Sequence, residues 1–253
     1  MSRTKDLSMK VGASSKDEIG TLADAFNNMV EEVKTHISNL QRANIELLEV
    51  LGSAIAKRDS DTSVHNYRVT VIAIRLAEAA GLGRGEIKAL IKGSFLHDVG
   101  KIGISDNILI KPDRLTSEEF ETMKGHVRHG IDIISSYNWL KDASDVVRYH
   151  HEKYDGSGYM SGMSGEDIPL NARIFAIADV FDALTSLRPY KKPLCYEDAM
   201  RILEESSGSH FDPNLLGVFK GIAETVYGEI VHAGDSDIED VLKRLINEYF
   251  YRG

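Results

Sequence analysis

The chain has 253 residues, 42% of them hydrophobic, and a formal net charge of −9. That length and apolar content can bury one large core, with or without an appendage, which excludes a disordered tail. The acidic balance excludes a non-specific nucleic-acid or anionic-membrane binder, although a basic pocket can sit inside an acidic envelope. Cys195 is the single cysteine, so an intramolecular disulfide and a thiolate metal cluster are both excluded. No run approaches the roughly 18 to 20 apolar residues that span a bilayer, and the polar start MSRTKDLSMK lacks the apolar centre of a signal peptide. The expectation for the chain as given is a cytoplasmic location.

Taken in order, residues 14–33 read SSKDEIGTLADAFNNMVEEV, which resembles the second half of a HAMP signalling module, where a DEIG turn leads into a helix carrying L..AFN.M. The resemblance implies that the sequence begins inside such a module, residues 1–34. It further implies that the protein continues N-terminally into a sensor tethered to the inner membrane.

From Phe26 apolar residues recur alternately four and three apart, a heptad pattern. Val30, Ile37, Asn44 and Leu51 fall at a, and Phe26, Val33, Leu40, Leu47 and Ala54 fall at d. β-branched residues at a, leucine at d and one asparagine at a predict a parallel two-stranded coiled coil, with Asn44 fixing register. The expected homodimer pairs through residues 26–54, and residues 35–58 form the signalling helix. An amphipathic helix packed on its own domain is the alternative, but about four uninterrupted heptads exceed what one helix usually offers a globular core.

Beyond residue 60, helical stripes predict helices over residues 64–80, 84–96, 117–136, 170–187, 196–205 and 238–250, with another over 138–151. Alternating strand patterns are missing from the sequence, so the expected fold is all-α.

Six of the nine histidines, His65, His97, His126, His129, His150 and His151, lie within 87 consecutive residues. A lone histidine is more often a satisfied core or surface residue than a ligand, so their company decides. His97-Asp98 ends the apolar stretch IKGSFL, setting an imidazole and a carboxylate at the end of a buried helix. A divalent ion accepts both together, and a carboxylate can bridge two ions; the alternative is a buried His–Asp hydrogen bond with Lys101 as a surface cation. In NARIFAIADVFDALTS, Asp179 and Asp182 interrupt the apolar stripe three residues apart and share a face, as ligands or as an acidic edge.

The residues H..R at His65–Arg68, HDVGKIGI at His97–Ile104, KPDRLT at Lys111–Thr116, MKGH at Met123–His126, HHE..DGSGY at His150–Tyr159 and ADVFDALTS.RPY at Ala178–Tyr190 resemble, in order, an HD-GYP domain. This is a branch of the HD metal-dependent phosphohydrolases. The likeness runs from about residue 50 to HFDPNLL at His210–Leu216, with the domain assigned to residues 59–235 and a C-terminal helix to 236–253.

The resemblance implies an HD-type helical bundle holding two or three divalent ions, iron or manganese first, that hydrolyses cyclic di-GMP to pGpG and on to GMP after a second cut. His65, His97, Asp98 and Asp179 correspond to ligands common to HD enzymes, with Asp98 as bridge. His126, His150 and His151 correspond to the branch's extra ligands. Asp61 stands where some members carry a glutamate for a third metal. A hydroxide shared by two ions about 3.5–4 Å apart would be the nucleophile. Lys101 would assist at the phosphoryl group, with Asp98 and Lys101 the catalytic candidates. Arg188 and Lys191, with Tyr159, would bind substrate. Hydrolysis of another cyclic dinucleotide such as cyclic GMP-AMP, or non-catalytic binding of cyclic di-GMP, are the alternatives.

The sequence departs from the family signature at Met160, where proline is expected. Proline would stiffen the exit from the glycine turn, so the expectation is a more mobile loop beside an intact metal centre. The same loop is the expected contact for signalling-protein partners.

Overall fold

Asp17 starts the first helix. Its carboxylate accepts hydrogen bonds from the backbone N–H groups of Ile19 at 3.0 Å and Gly20 at 3.3 Å, partnering donors that a helix N-terminus leaves open. A computed structural model of the chain describes residues 10–12, 17–58, 63–187, 192–231 and 235–251. Among these the architecture is helical and no strand is formed. The chain divides into two compact units, Met1–Leu47 and Leu48–Gly253. Helix α1 (Glu18–Arg58) supplies residues to both. In the first unit, Asn27 on α1 exchanges two 3.0 Å hydrogen bonds with the backbone of Val11. The heptad residues Phe26, Val33, Ile37 and Leu40 are exposed along this helix. None of the described helices is long and apolar enough to cross a membrane.

The second unit is built round α2 (Ser63–Ala79). Val69, Val71, Ile72, Ala73, Ile74, Leu76 and Ala77 on it are all at most 1% exposed, so most of the helix is covered, with Arg75 and Glu78 marking its half-exposed side. It packs against α3 (Arg84–Leu96), α7 (Leu170–Thr185), α9 (Pro213–Val231) and α10 (Asp235–Ile246). Burying each of its large aliphatic side chains contributes about 1.5–3 kcal/mol. The remaining helices in chain order are α4 (Asp106–Leu109), α5 (Ser117–Ser135), α6 (Ser144–Tyr149) and α8 (Tyr196–Glu205).

Three local features differ from the expected helices. Residues 138–151 form a 3₁₀ turn, Asn138–Ala143, followed by the short α6, because Lys92 Nζ takes the Trp139 carbonyl at 2.9 Å and the Asp142 carboxylate. In a continuous α-helix that carbonyl would accept from residue 143. The C-terminal helix likewise ends at Ile246 and gives way to a π turn, Asn247–Tyr251. Helix α9 was not expected at all. Its buried Leu215, Leu216, Phe219, Ala223, Val226 and Ile230 do follow helical spacing, but Gly217, Gly221 and Gly228 dilute the pattern. Asp212 initiates it by accepting from Asn214 N–H at 2.8 Å, and its other oxygen pairs with Arg173 on α7 at 2.5 Å.

Candidate metal centre

The candidate ligands come from five segments that meet in the second unit. His65 lies in the first turn of α2, His97 and Asp98 follow α3, His126 lies on α5, His150 and His151 follow α6, and Asp179 lies on α7. Their donor atoms fall into two sets, each within 4.8 Å: His65, His97 and Asp179, and Asp98, His126, His150 and His151. Asp98 faces both. Its Oδ2 lies 3.1 Å from His97 Nε2, and its Oδ1 lies 3.5 Å from His126 Nε2 and 3.9 Å from His150 Nε2.

Each of four imidazoles is aimed by its other nitrogen. His97 Nδ1 donates to Ser94 O at 2.8 Å, His126 Nδ1 to Met123 O at 2.7 Å, and His150 Nδ1 to Val146 O at 3.1 Å. His65 Nδ1 donates to Asp182 Oδ2 at 2.6 Å. Carbonyl oxygens only accept, so the tautomer is set and Nε2 is left as the donor atom for an ion. As a result, His126 Nε2 and His150 Nε2 face each other at 3.4 Å with lone pairs opposed, beside an Asp98 oxygen that also only accepts. A cation reconciles these groups, and the nitrogen and oxygen donors suit a divalent transition ion.

The proton affinities divide in the same way. Burial keeps His126 below the usual histidine range and, with the charges of His151 and His97, holds His150 well below it. Burial and His126 lower His151 to about 3. These are neutral imidazoles, ready to ligate. In the first set burial also opposes charge, but Asp179 and Asp182 overcome it and raise His65 to about 10, while Asp98 raises His97. Burial disfavours an ionised Asp98, but His97 and Lys101 outweigh it and hold the carboxyl well below its ordinary range.

The roles of several supporting residues, some of them inside the motifs, could not be read from the sequence. Asp182 is fully buried and orients His65, while Arg68 Nε at 2.6 Å and Ser186 Oγ at 2.7 Å donate to its other oxygen. It shares a face with Asp179 as expected, but it is neither a ligand of the first set nor an acidic edge. Gly100 lies in the 3₁₀ turn Val99–Gly103, against the α5 backbone. A Cβ there would stand 1.8 Å from His126 O and 2.4 Å from Gly130 N. Arg58, at the end of α1, donates to Lys101 O at 2.8 Å, Ile104 O at 2.5 Å and Asp106 Oδ1 at 2.8 Å, clasping the same turn. Thr116 and Glu119 form a reciprocal cap at the start of α5, so the KPDRLT stretch positions the helix that carries His126. His129, inside the histidine cluster, is exposed and packs over Gly103.

The other sequence candidates are placed as follows. Lys101 Nζ is 2.7 Å from Asp98 Oδ2. Tyr159 stacks on His151 with ring centroids 4.6 Å apart. Asp61, Arg188 and Lys191 lie outside the described residues.

The loop carrying Met160 is hydrogen-bonded to the segments on either side of it. Tyr159 N–H donates to His151 O at 3.2 Å, Ser161 N–H to Glu152 Oε1 at 2.6 Å, and Asp155 N–H to Ser209 O at 2.8 Å. A Cβ on Gly158 would stand 2.5 Å from Glu152 Cα and His151 O, so this glycine serves close approach of the loop to the ligand segment.

Residues 24–215 match the HD domain family and residues 1–35 match the HAMP domain. The chain belongs to the HD domain family. Within it, the HD pair, the extra histidines and the DGSGY loop make it a member of the HD-GYP branch, with methionine in place of the signature proline. A cyclic di-GMP phosphodiesterase of Vibrio cholerae is 34% identical over 246 residues, which cover 91% of this chain and 50% of that protein. A cyclic di-GMP phosphodiesterase of Thermotoga maritima is 42% identical over 176 residues, covering 69% of this chain and 48% of its own. A 3'3'-cGAMP-specific phosphodiesterase of Vibrio cholerae is 39% identical over 200 residues, covering 78% and 37%. The chain thus spans half or less of the length of these relatives. Among solved structures, a cyclic GMP-AMP specific phosphodiesterase of Vibrio cholerae shares the fold with a TM-score of 0.61 at 19% identity, over 80% of this chain and 53% of that one. A protein of Bdellovibrio bacteriovorus titled HDG"Y"P does so with a TM-score of 0.53 at 18% identity, over 85% and 75%.

Proposed function

We propose that this chain is the output part of a signalling protein and hydrolyses cyclic di-GMP to linear pGpG, and to GMP after a second cut. The observation that carries the reading is Asp98, whose Oδ2 lies beside His97 of the set with His65 and Asp179 and whose Oδ1 lies beside the imidazoles of the other set. His65, His97 and Asp179 would hold one ion, His126, His150 and His151 the other, and Asp98 would join them. Divalent ions held there supply Lewis acidity toward the phosphoryl oxygens and a lowered pKa for water. Iron and manganese are our assignment, and the nitrogen and oxygen donor set accommodates both.

The chain's own groups supply the rest. Phe175, fully buried with its ring centroid 4.8 Å from that of His97, packs an apolar face against that imidazole. Lys101 places a cation beside Asp98, where it can stabilise charge developing on the phosphoryl group or give a proton to the departing ribose oxygen. Arg188 and Lys191 are assigned to substrate phosphate or guanine, Asp61 to a third ion, and the Met160 loop to signalling partners, all from the family resemblance. A parallel homodimer through residues 26–54 is supported by the heptad and by the exposure of Phe26, Val33, Ile37 and Leu40. The HAMP match supports a membrane-linked signalling protein. Cyclic GMP-AMP is the second substrate reading, favoured by the 39% identical relative.

Metal analysis under anaerobic conditions with product identification tests the proposal. The expected result is at least two ions per chain and pGpG from cyclic di-GMP, with Asp98→Ala losing metal and turnover together. Full activity in that variant would overturn the two-ion assignment, and turnover of cyclic GMP-AMP alone would transfer the activity to the second substrate. A monomeric mass in solution, unchanged in Asn44→Leu, would overturn the coiled-coil dimer.

A further inference from the structure

Helix α1 runs without interruption from Glu18, inside the segment that matches the HAMP domain, to Arg58. Its last three turns present two faces. Leu51 and Ala54 of the heptad are exposed, while Leu48, Gly52, Ile55 and Ala56 are buried within the second unit. Gly52 brings α1 close to two ligand-bearing segments. A Cβ there would stand 3.0 Å from Phe95 O and 3.2 Å from Asn66 Nδ2, and the Gly52 carbonyl accepts from Asn66 Nδ2 at 3.2 Å. Phe95 lies two positions before His97, and Asn66 directly follows His65. Six residues after Gly52, Arg58 donates to Lys101 O at 2.8 Å and Ile104 O at 2.5 Å. Beside these contacts lies a cavity of about 10 Å³, no larger than one water, lined by Gly52, Ile55 and Ala56 from α1 and by His65, Asp98 and Lys101 from the candidate centre.

We propose that the end of α1 is a regulatory lever: gripped at Gly52 and Arg58, its position sets that of the Asp98–Lys101 turn relative to His65. The inference rests on the reading of the chain as the output part of a signalling protein, and deepens it by naming the contacts through which a helix acts on the candidate centre. A glycine weakens a helix interior, and here it serves close approach to the Phe95 carbonyl. The helix is a hydrogen-bonded rod, so a shift at Gly52 reaches Arg58 within two turns. A cavity of one water at most leaves little room to absorb that shift. Arg58 holds backbone carbonyls, so the turn itself must follow the guanidinium. Asp98 stands directly before that turn with its two oxygens beside different ligand sets, so moving it disturbs both at once. The exposed Leu51 and Ala54 give a second helix its hold on the lever, on a face other than the one that grips the centre.

A double-mutant cycle in the full chain tests the lever, with two readouts that need no turnover: titration of the metal-free protein with Mn²⁺, and hydrogen exchange of the turn Val99–Gly103. Gly52→Leu wedges α1 away from Phe95 and Asn66. It is expected to speed exchange of the turn and to weaken Mn²⁺ binding roughly 5- to 150-fold, the usual range for coupling between sites. Arg58→Ala alone is expected to act in the same direction. Once Arg58 is gone the link is cut, so adding Gly52→Leu should cost less than about threefold more, whereas a merely structural defect at Gly52 would add in full. Gly52→Ala, which asks its neighbours to give by only a few tenths of an ångström, serves if the leucine chain does not fold, and should move both readouts the same way by less. Wild-type exchange and Mn²⁺ affinity in the Gly52 variants, or full additivity with Arg58→Ala, would overturn the lever. A wild-type chain that turns over no cyclic dinucleotide would overturn the phosphodiesterase reading instead, and the lever would still stand or fall on the cycle.

Discussion

Replacing Gly100 with alanine adds one methyl group at the tightest contact beside the site. The new Cβ would stand 1.8 Å from His126 O, 2.4 Å from Gly130 N and 2.8 Å from His126 C, all backbone atoms of α5. No rotamer change relieves a clash with backbone, so restoring even a tight 3.4 Å contact requires a local withdrawal of about 1.6 Å. His126 moves with α5, and its Nε2 begins 3.5 Å from Asp98 Oδ1 and 3.4 Å from His150 Nε2. A displacement of that size removes it from its set, while His65, His97 and Asp179 sit on other elements. Gly100→Ala should therefore lose about one bound ion per chain and at least about a hundredfold in turnover, as misplacements of about 1 Å do. Overpacking should also cost about 1–3 kcal/mol, read as a drop of a few degrees in Tm. Gly217→Ala, where an added Cβ meets nothing within 4 Å inside α9, is the matched control and should leave metal content unchanged. Metal analysis, thermal melts and steady-state turnover decide the matter. A Gly100→Ala chain with its full metal complement and kcat within twofold of wild type would refute the steric argument.

Asp182→Asn cannot accept from His65, Arg68 and Ser186 together, because one of its two positions becomes a donor. Affinity at the His65 set should fall about 10- to 100-fold in a metal titration, and equal affinity would count against an orienting role. Arg58→Ala frees the turn carrying Asp98 and Lys101, so kcat should fall about tenfold at nearly constant KM. Arg58→Lys should recover only part of this, since one ammonium cannot span three acceptors; an unchanged kcat in Arg58→Ala would remove the residue from the site's support. In the metal-free protein, His151 titrates far below its unfolded value, so its contribution is present above about pH 6.5 and lost as pH falls toward 3. His65 titrates above its unfolded value, so its contribution is complete below about pH 6.5 and lost as pH rises toward 10. Thermal melts across pH should accordingly show greatest stability near pH 6.5, and a monotonic rise from pH 5 to 9 would contradict these assignments.

The candidate ligand residues were legible because imidazoles and carboxylates in ordered motifs are chemically specific. Most of the helices were legible because their apolar residues recur at helical spacing, whereas α9, diluted by Gly217, Gly221 and Gly228, was not. What stayed hidden was long-range. Asp179 and Asp182 look alike in sequence, three residues apart on one helix. Only the fold, by setting His65 Nδ1 2.6 Å from Asp182 and His65 Nε2 3.4 Å from Asp179, makes one an orienting group and the other a ligand candidate. Arg58 gave no signal, since an arginine near a helix C-terminus is usual, and its three acceptors lie 43 to 48 positions further along the chain.

The glycines carry the same lesson and alter the meaning of Met160. In sequence, DGSGYM suggests a mobile loop that a missing proline leaves freer still. In the fold, Gly158 lets the loop lie against residues 151–153, where a Cβ would meet backbone at 2.5 Å. The N–H groups on either side of Met160, those of Tyr159 and Ser161, are spent on His151 O and Glu152 Oε1. A proline would restrict a backbone that these bonds already restrain, and Met160 itself is 40% exposed. The substitution thus bears on what meets the outer rim of the loop more than on the loop's order. On the side toward the candidate metal centre the loop presents Tyr159, held between the His151 ring and Phe120, so the ring packing there is fixed by Tyr159 and not by residue 160.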